Sequence, residues 1–131
     1  MTWLFVACGS AVGGALRFWS IQWIDSLTEE SSYPWGTLFV NVVGSLLLGL
    51  VLGLLTGEHR WTDMEANWRQ FLVVGVFGGF TTFSTFSVQT LSLIQAGDWG
   101  HAAANCTASV VLCVGGAALG WRLGTAVVGG G

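Results

Sequence analysis

Residues 75–87 read Gly75-Val76-Phe77-Gly78-Gly79-Phe80-Thr81-Thr82-Phe83-Ser84-Thr85-Phe86-Ser87. Three glycines run into three threonines and two serines in the middle of an apolar stretch, 70–95. A bilayer-spanning helix needs about 20 mostly apolar residues, so 70–95 is long enough to cross. Glycine costs about 1 kcal/mol in a helix interior, and β-branched residues also disfavour helix. Two readings of the stretch stand. In one, the helix breaks near 78–82 at mid-membrane, where carbonyl oxygens freed from helical bonding suit a hard cation such as sodium. In the other, the helix is unbroken and its hydroxyls bond back to the preceding turn.

Outward from this segment, the apolar runs 2–25, 36–56 and 101–123 are also long enough to span. The chain has 131 residues, of which 53% are hydrophobic and 8% charged. An ordinary soluble domain carries about 25% charged residues. A soluble domain this short exposes much of its surface and would aggregate with so few charges. Soluble enzymes, nucleic-acid binders and disordered chains are therefore excluded. All four cations are arginines, against seven acids, so there is no basic patch to hold phosphates. Period-two alternation, the mark of a membrane β-barrel, is absent. The expected fold is a single all-α transmembrane domain of four helices joined by short loops, and the third helix is the irregular one. The first run is too long for a signal peptide and has no basic segment before it. Cys8, Cys106 and Cys113 all fall inside spans, an odd number that argues against a disulfide framework.

An even number of spans puts both termini on one side. Arg60, Arg69 and Arg122 then fall near that side, and Arg17 toward the other, a bias small enough to permit insertion in both orientations. Glu58 and Asp63 share the second loop with Arg60, and their charge does not orient the chain. His59 and His101 lie in or beside different loops, without metal-ligand spacing.

Polar residues inside the spans are the candidates for function. Helix two carries Thr37, Asn41, Ser45, Gly49 and Gly53 on one face, four residues apart. The glycines suit close helix packing. Asn41 is different, because an amide at lipid depth needs partners and tends to be functional. Helix one sets Gly9 and Gly13 before Arg17, which either snorkels to an interface or lines an aqueous vestibule that attracts anions. Phe83 and Phe86 share a face just after the glycines, and their ring edges carry positive potential. Two such edges can touch a small anion without trapping it; ordinary packing is the other reading. In helix four, Asn105, Ser109 and Cys113 form a polar stripe that His101 continues. The stripe serves either a pore or interhelical hydrogen bonds. No catalytic set is visible, so the chain is not read as an enzyme.

Three blocks resemble the small fluoride channels of the Fluc type, also called CrcB: Gly13-Gly14-Ala15-Leu16-Arg17, Gly36-Thr37-Leu38-Phe39-Val40-Asn41-Val42-Val43-Gly44-Ser45, and Gly78-Gly79-Phe80-Thr81-Thr82-Phe83-Ser84-Thr85-Phe86. The resemblance covers nearly the whole chain. It implies a four-helix subunit with a centrally broken third helix, assembled as an antiparallel, dual-topology homodimer in the prokaryotic inner membrane. It further implies two fluoride pores and one structural sodium ion held through the backbone oxygens of Gly78 and Thr81 of each subunit. On this resemblance Phe83 and Phe86 face fluoride, Asn41 is the pore asparagine and Arg17 the vestibule arginine. Asn105, Ser109 and Cys113 form the polar track. Where Asn105 stands the family usually has tyrosine. It often has serine or threonine in place of Cys113, and glutamate in place of Gln89.

The implied partners are fluoride, membrane lipid and a second copy of the chain. The implied role is passive export of fluoride that entered as its neutral acid. The alternative is a four-helix, dual-topology, proton-coupled multidrug exporter, which calls for a carboxylate at a span centre, and the sequence has none there. A non-transporting subunit packed against larger partners is a third reading.

Overall fold

The computed structural model describes residues 1–56 and 65–129. The sequence expectations for Glu58, His59, Arg60 and Asp63 lie outside the described residues. Among the described residues four helices are long and apolar enough to cross a membrane: α1 (Thr2–Leu27), α2 (Trp35–Leu54), α3 (Ala66–Gln95) and α4 (Trp99–Gly129). There is no strand among the described residues. The helices differ from the apolar windows at their ends. Thus α3 begins at Ala66 rather than at residue 70, and α4 continues past Leu123 to Gly129.

Close backbone approach organises the bundle into two pairs. A Cβ at Gly9 would lie 2.9 Å from Gly75 Cα, and one at Gly79 would lie 2.8 Å from Ser10 O. Together with Thr2 bonding Asn67 at 3.0 Å, these contacts set α1 parallel to the first half of α3. A Cβ at Gly124 would lie 2.5 Å from Leu50 O, and one at Gly120 would meet Leu46 O. So α2 and α4 also run parallel, in contact along their glycine faces. Small residues permit this approach in lipid, where there is no hydrophobic drive between helices. The pairs meet in antiparallel contacts. Asp25 Oδ1 accepts from Gly36 N–H at 3.2 Å between α1 and α2, and Asn105 bonds Thr90 at 2.9 Å between α4 and α3.

Exposed tryptophans band both ends of the bundle: Trp3, Trp68 and Trp121 at one, and Trp19, Trp23, Trp35 and Trp99 at the other. Amphipathic indoles favour the membrane–water interfaces, so the outer surface fits a bilayer. In the loop at the second end, Tyr33 is buried, which pushes its phenol above the usual range. The His101 side chain hydrogen-bonds Asp98 at 2.7 Å and holds that carboxyl below the usual range.

α3 changes character along its length. Residues Gln70–Phe77 form a π-helical stretch, and Gly78–Phe80 a single α turn. Thr81 (φ −85°, ψ 157°) and Thr82 (φ −151°, ψ 110°) have extended backbone, and Phe83–Gln95 is regular α-helix. Thr82 caps this second half, its Oγ1 accepting from Thr85 N–H at 3.3 Å. Beyond the cap the hydroxyls of Ser87, Thr90 and Ser92 bond back to carbonyls one turn earlier. Back-bonding and departure from the helix thus occur in neighbouring parts of the same span.

Replacing Gly120 by leucine should force α4 off α2, since its side chain would meet the Leu46 carbonyl. Overpacking of this kind typically costs about 1–3 kcal/mol. The check is thermal unfolding of purified Gly120→Leu, with the melting temperature expected to fall by several degrees or more.

Candidate ion-conducting groove

The extended residues of α3 leave helical donors and acceptors to be satisfied from elsewhere. In lipid each orphan costs several kcal/mol. Asn41 supplies two of the partners. Its Oδ1 accepts from Thr82 N–H at 2.7 Å, and its Nδ2 donates to Thr82 O at 3.0 Å. One side-chain amide therefore pairs with a backbone unit as a neighbouring strand would. Arg17 Nη1 donates to Thr81 O at 3.2 Å. Thr81 N–H and Oγ1 both donate to Phe77 O, at 3.1 and 3.0 Å. Gly44 lets α2 come this close, because a Cβ there would strike the Thr81 methyl and lie 3.1 Å from the Phe80 ring.

A groove of about 320 Å³ opens beside this junction. Asn41, Phe83, Phe86, Ser109 and Cys113 all line it, together with Thr81. The Phe83 and Phe86 rings lie 5.3 Å apart at 44°. Phe83 is 79% exposed, so its ring forms a wall that the chain leaves open. The Ser109 hydroxyl oxygen is buried and has no hydrogen-bond partner among the described residues. Asn41 uses one of its two amide hydrogens on Thr82 O, which leaves the other free to donate. Cys113 adds a weak S–H donor. Among the described residues no charged side chain lines the groove.

Three candidates from the sequence are not on this lining. Arg17 points at the Thr81 carbonyl. Gly78 lies one turn before the groove, and its carbonyl has lost its helical donor because Thr82 N–H turns to Asn41. Asn105 is 1% exposed and donates to Thr90 Oγ1 at 2.9 Å. His101, at the start of α4, is within hydrogen-bond distance of Asp98 and Ser32. Sequence reasoning missed Thr90 as the partner of Asn105, since nothing local links residues on two helices. It also missed the π-helical stretch, for which an apolar run gives no signal. A larger cavity of about 460 Å³ sits at the loop end, lined by Asp25, Glu29 and Asp98 among others. Its acidic lining does not suit an anion, and the smaller groove is the one that gathers Asn41, Phe83, Phe86, Ser109 and Cys113.

Fold and groove together define a small multi-pass membrane protein with neutral donors and two phenylalanine rings gathered in the middle of its spans. The chain belongs to the CrcB family: the model described as CrcB-like protein, Camphor Resistance (CrcB), matches residues 4–121. A protein of Rhodospirillum rubrum named fluoride-specific ion channel FluC is 48% identical over 120 residues, 92% of each chain. The protein of that name from Thermus thermophilus is 44% identical over 132 positions, covering 97% of this chain and 96% of its own. The one from Paramagnetospirillum magneticum is 45% identical over 114 residues, 87% of this chain and 88% of its own.

Asn41→Leu should leave Thr82 N–H and C=O without partners. Each unsatisfied buried group costs about 1–3 kcal/mol. The expected outcome is a lowered melting temperature and much faster amide exchange at Thr82 in hydrogen–deuterium exchange, with exchange in α4 little changed.

Proposed function

We propose that this chain is a fluoride channel subunit that passes the ion passively down its gradient across a prokaryotic inner membrane. The observation that carries this reading is the groove: neutral donors and two phenylalanine rings, an unpartnered buried Ser109 hydroxyl, and no fixed charge among the described residues. A small hydrated anion meets an idealised barrier of tens of kcal/mol in a low-dielectric slab. The free Asn41 amide hydrogen, the Ser109 hydroxyl and the Cys113 thiol replace water one donor at a time. The edges of Phe83 and Phe86 bridge the gap between them. Neutral donors hold the ion weakly enough to release it, which conduction requires. The names of the relatives support the choice of fluoride.

The open groove and the exposed Phe83 ring call for a second copy of the chain to complete the wall. An antiparallel dimer agrees with an arginine bias of only three against one. The interruption at Thr81 and Thr82 serves, in this reading, as the ion-binding break of the third span.

A structural sodium ion fits the residues present. The Gly78 carbonyl is freed when Thr82 N–H turns to Asn41, and the Thr81 carbonyl keeps one lone pair after accepting from Arg17. Among the described residues no group of three His, Cys, Asp or Glu could hold a metal, so backbone oxygens are the available donors. Two such carbonyls per chain again ask for a second copy. Bound there, the cation adds favourable potential for the anion.

The test is efflux from liposomes reconstituted with the purified chain and loaded with fluoride or chloride. Fluoride efflux well above empty vesicles, with chloride at the empty-vesicle level, is expected; no fluoride efflux would defeat the reading. Phe83→Ile and Phe86→Ile should suppress fluoride flux while dimers still elute intact. Ser109→Ala should slow it about tenfold, the value of one hydrogen bond to a charged group. Exchange of sodium for a larger organic cation should weaken assembly or flux.

A further inference from the structure

We infer that Asn105 and Thr90 are positioning residues that set the width of the groove by fixing the turn carrying Phe86 against the face of α4 carrying Ser109. This rests on the channel reading above. Asn105 and Thr90 are 1% and 8% exposed. Asn105 Nδ2 donates to Thr90 Oγ1 at 2.9 Å, and Thr90 Oγ1 donates onward to Phe86 O at 2.8 Å. The two bonds run in one direction, amide to hydroxyl to carbonyl, and end on the backbone of a groove-lining residue.

The placement makes this relay consequential. α3 and α4 touch far less than α2 and α4 do, so few other contacts set their register. Thr90 stands one turn past Phe86 on α3, and Asn105 one turn before Ser109 on α4. Each step is about 6 Å along its helix. The buried bond therefore ties together the supports of two opposing walls, the Phe86 ring and the Ser109 hydroxyl, both on the groove. Asn105 does not line the groove and acts through Thr90. If the relay is lost, the turn of α3 carrying Phe86 is free to shift against α4, which its glycine contacts hold on α2, and a donor set matched to a small anion loses its spacing.

The experiment uses the full chain in liposomes and, in parallel, the chain with 4-fluorophenylalanine incorporated at Phe86 for fluorine NMR. Thr90→Val keeps the volume and removes the hydroxyl; Asn105→Ala removes the donor; Thr90→Ser keeps the relay. Fluoride flux is expected to fall about tenfold in Thr90→Val and in Asn105→Ala. The double variant should be no worse than either single one, and Thr90→Ser should stay near wild type. The Phe86 fluorine resonance should shift or split in Thr90→Val and Asn105→Ala, but not in Thr90→Ser. An unmoved resonance in both disrupting variants overturns the inference, as does a double variant whose losses multiply. If Thr90→Val fails to fold, Asn105→Ala against Thr90→Ser gives the same comparison. Absence of wild-type fluoride flux would defeat the channel reading alone, because the resonance test of the relay stands without it.

Discussion

The Asn41 amide takes both backbone groups of Thr82, and the shape of the third span depends on this exchange. A transmembrane helix that leaves its own hydrogen-bond ladder must find partners at once, since lipid offers none. Here α2 provides them through one side chain, and Arg17 of α1 donates to the preceding carbonyl, that of Thr81. Gly44 allows the approach by having no side chain where the Thr81 methyl sits. Three helices thus converge on two extended residues, and the groove opens beside that convergence.

From this constraint the remaining features follow in order. Because Thr82 caps a new helix, the Phe83–Gln95 segment restarts with its first residues at the groove. Phe83 and Phe86 are therefore adjacent at the wall rather than spread along a continuous face. The glycine contacts between α2 and α4 bring Ser109 and Cys113 to the opposite side. The result is a site built beside the junction that Asn41 holds, with a few donors to spare. Asn41 has one amide hydrogen left over, and Ser109 an unused hydroxyl. A site with no fixed charge suits transit better than retention.

Much of this was legible in the sequence, for identifiable reasons. Four spans are visible because lipid-facing helices must be apolar over their whole length, whatever their tertiary contacts. Asn41, Phe83, Phe86, Ser109 and Cys113 stood out as polar or paired aromatic groups in apolar runs, and the structure brings these five to one groove. Arg17 and Asn105 stood out for the same reason, yet their side chains end on Thr81 and Thr90. Polarity at depth marks a residue that needs a partner. It does not say whether that partner is an ion or another helix, because that depends on which helices face each other. The π-helical turns and the choice of Thr81 and Thr82 as the extended pair were hidden likewise. The first half of α3 lies against Gly9 and Gly13 of α1, and Thr81 and Thr82 against Gly44 and Asn41 of α2, contacts that join residues far apart in the chain.

The most direct measurement is solid-state NMR of the chain in lipid bilayers, with carbon-13 labels on threonine and phenylalanine. Extended-type Cα and Cβ shifts at Thr81 and Thr82, between helical shifts at Phe80 and Phe83, are the predicted result. Helical shifts through all four residues would contradict the account, because an uninterrupted span leaves Asn41 without Thr82 and the groove without its frame.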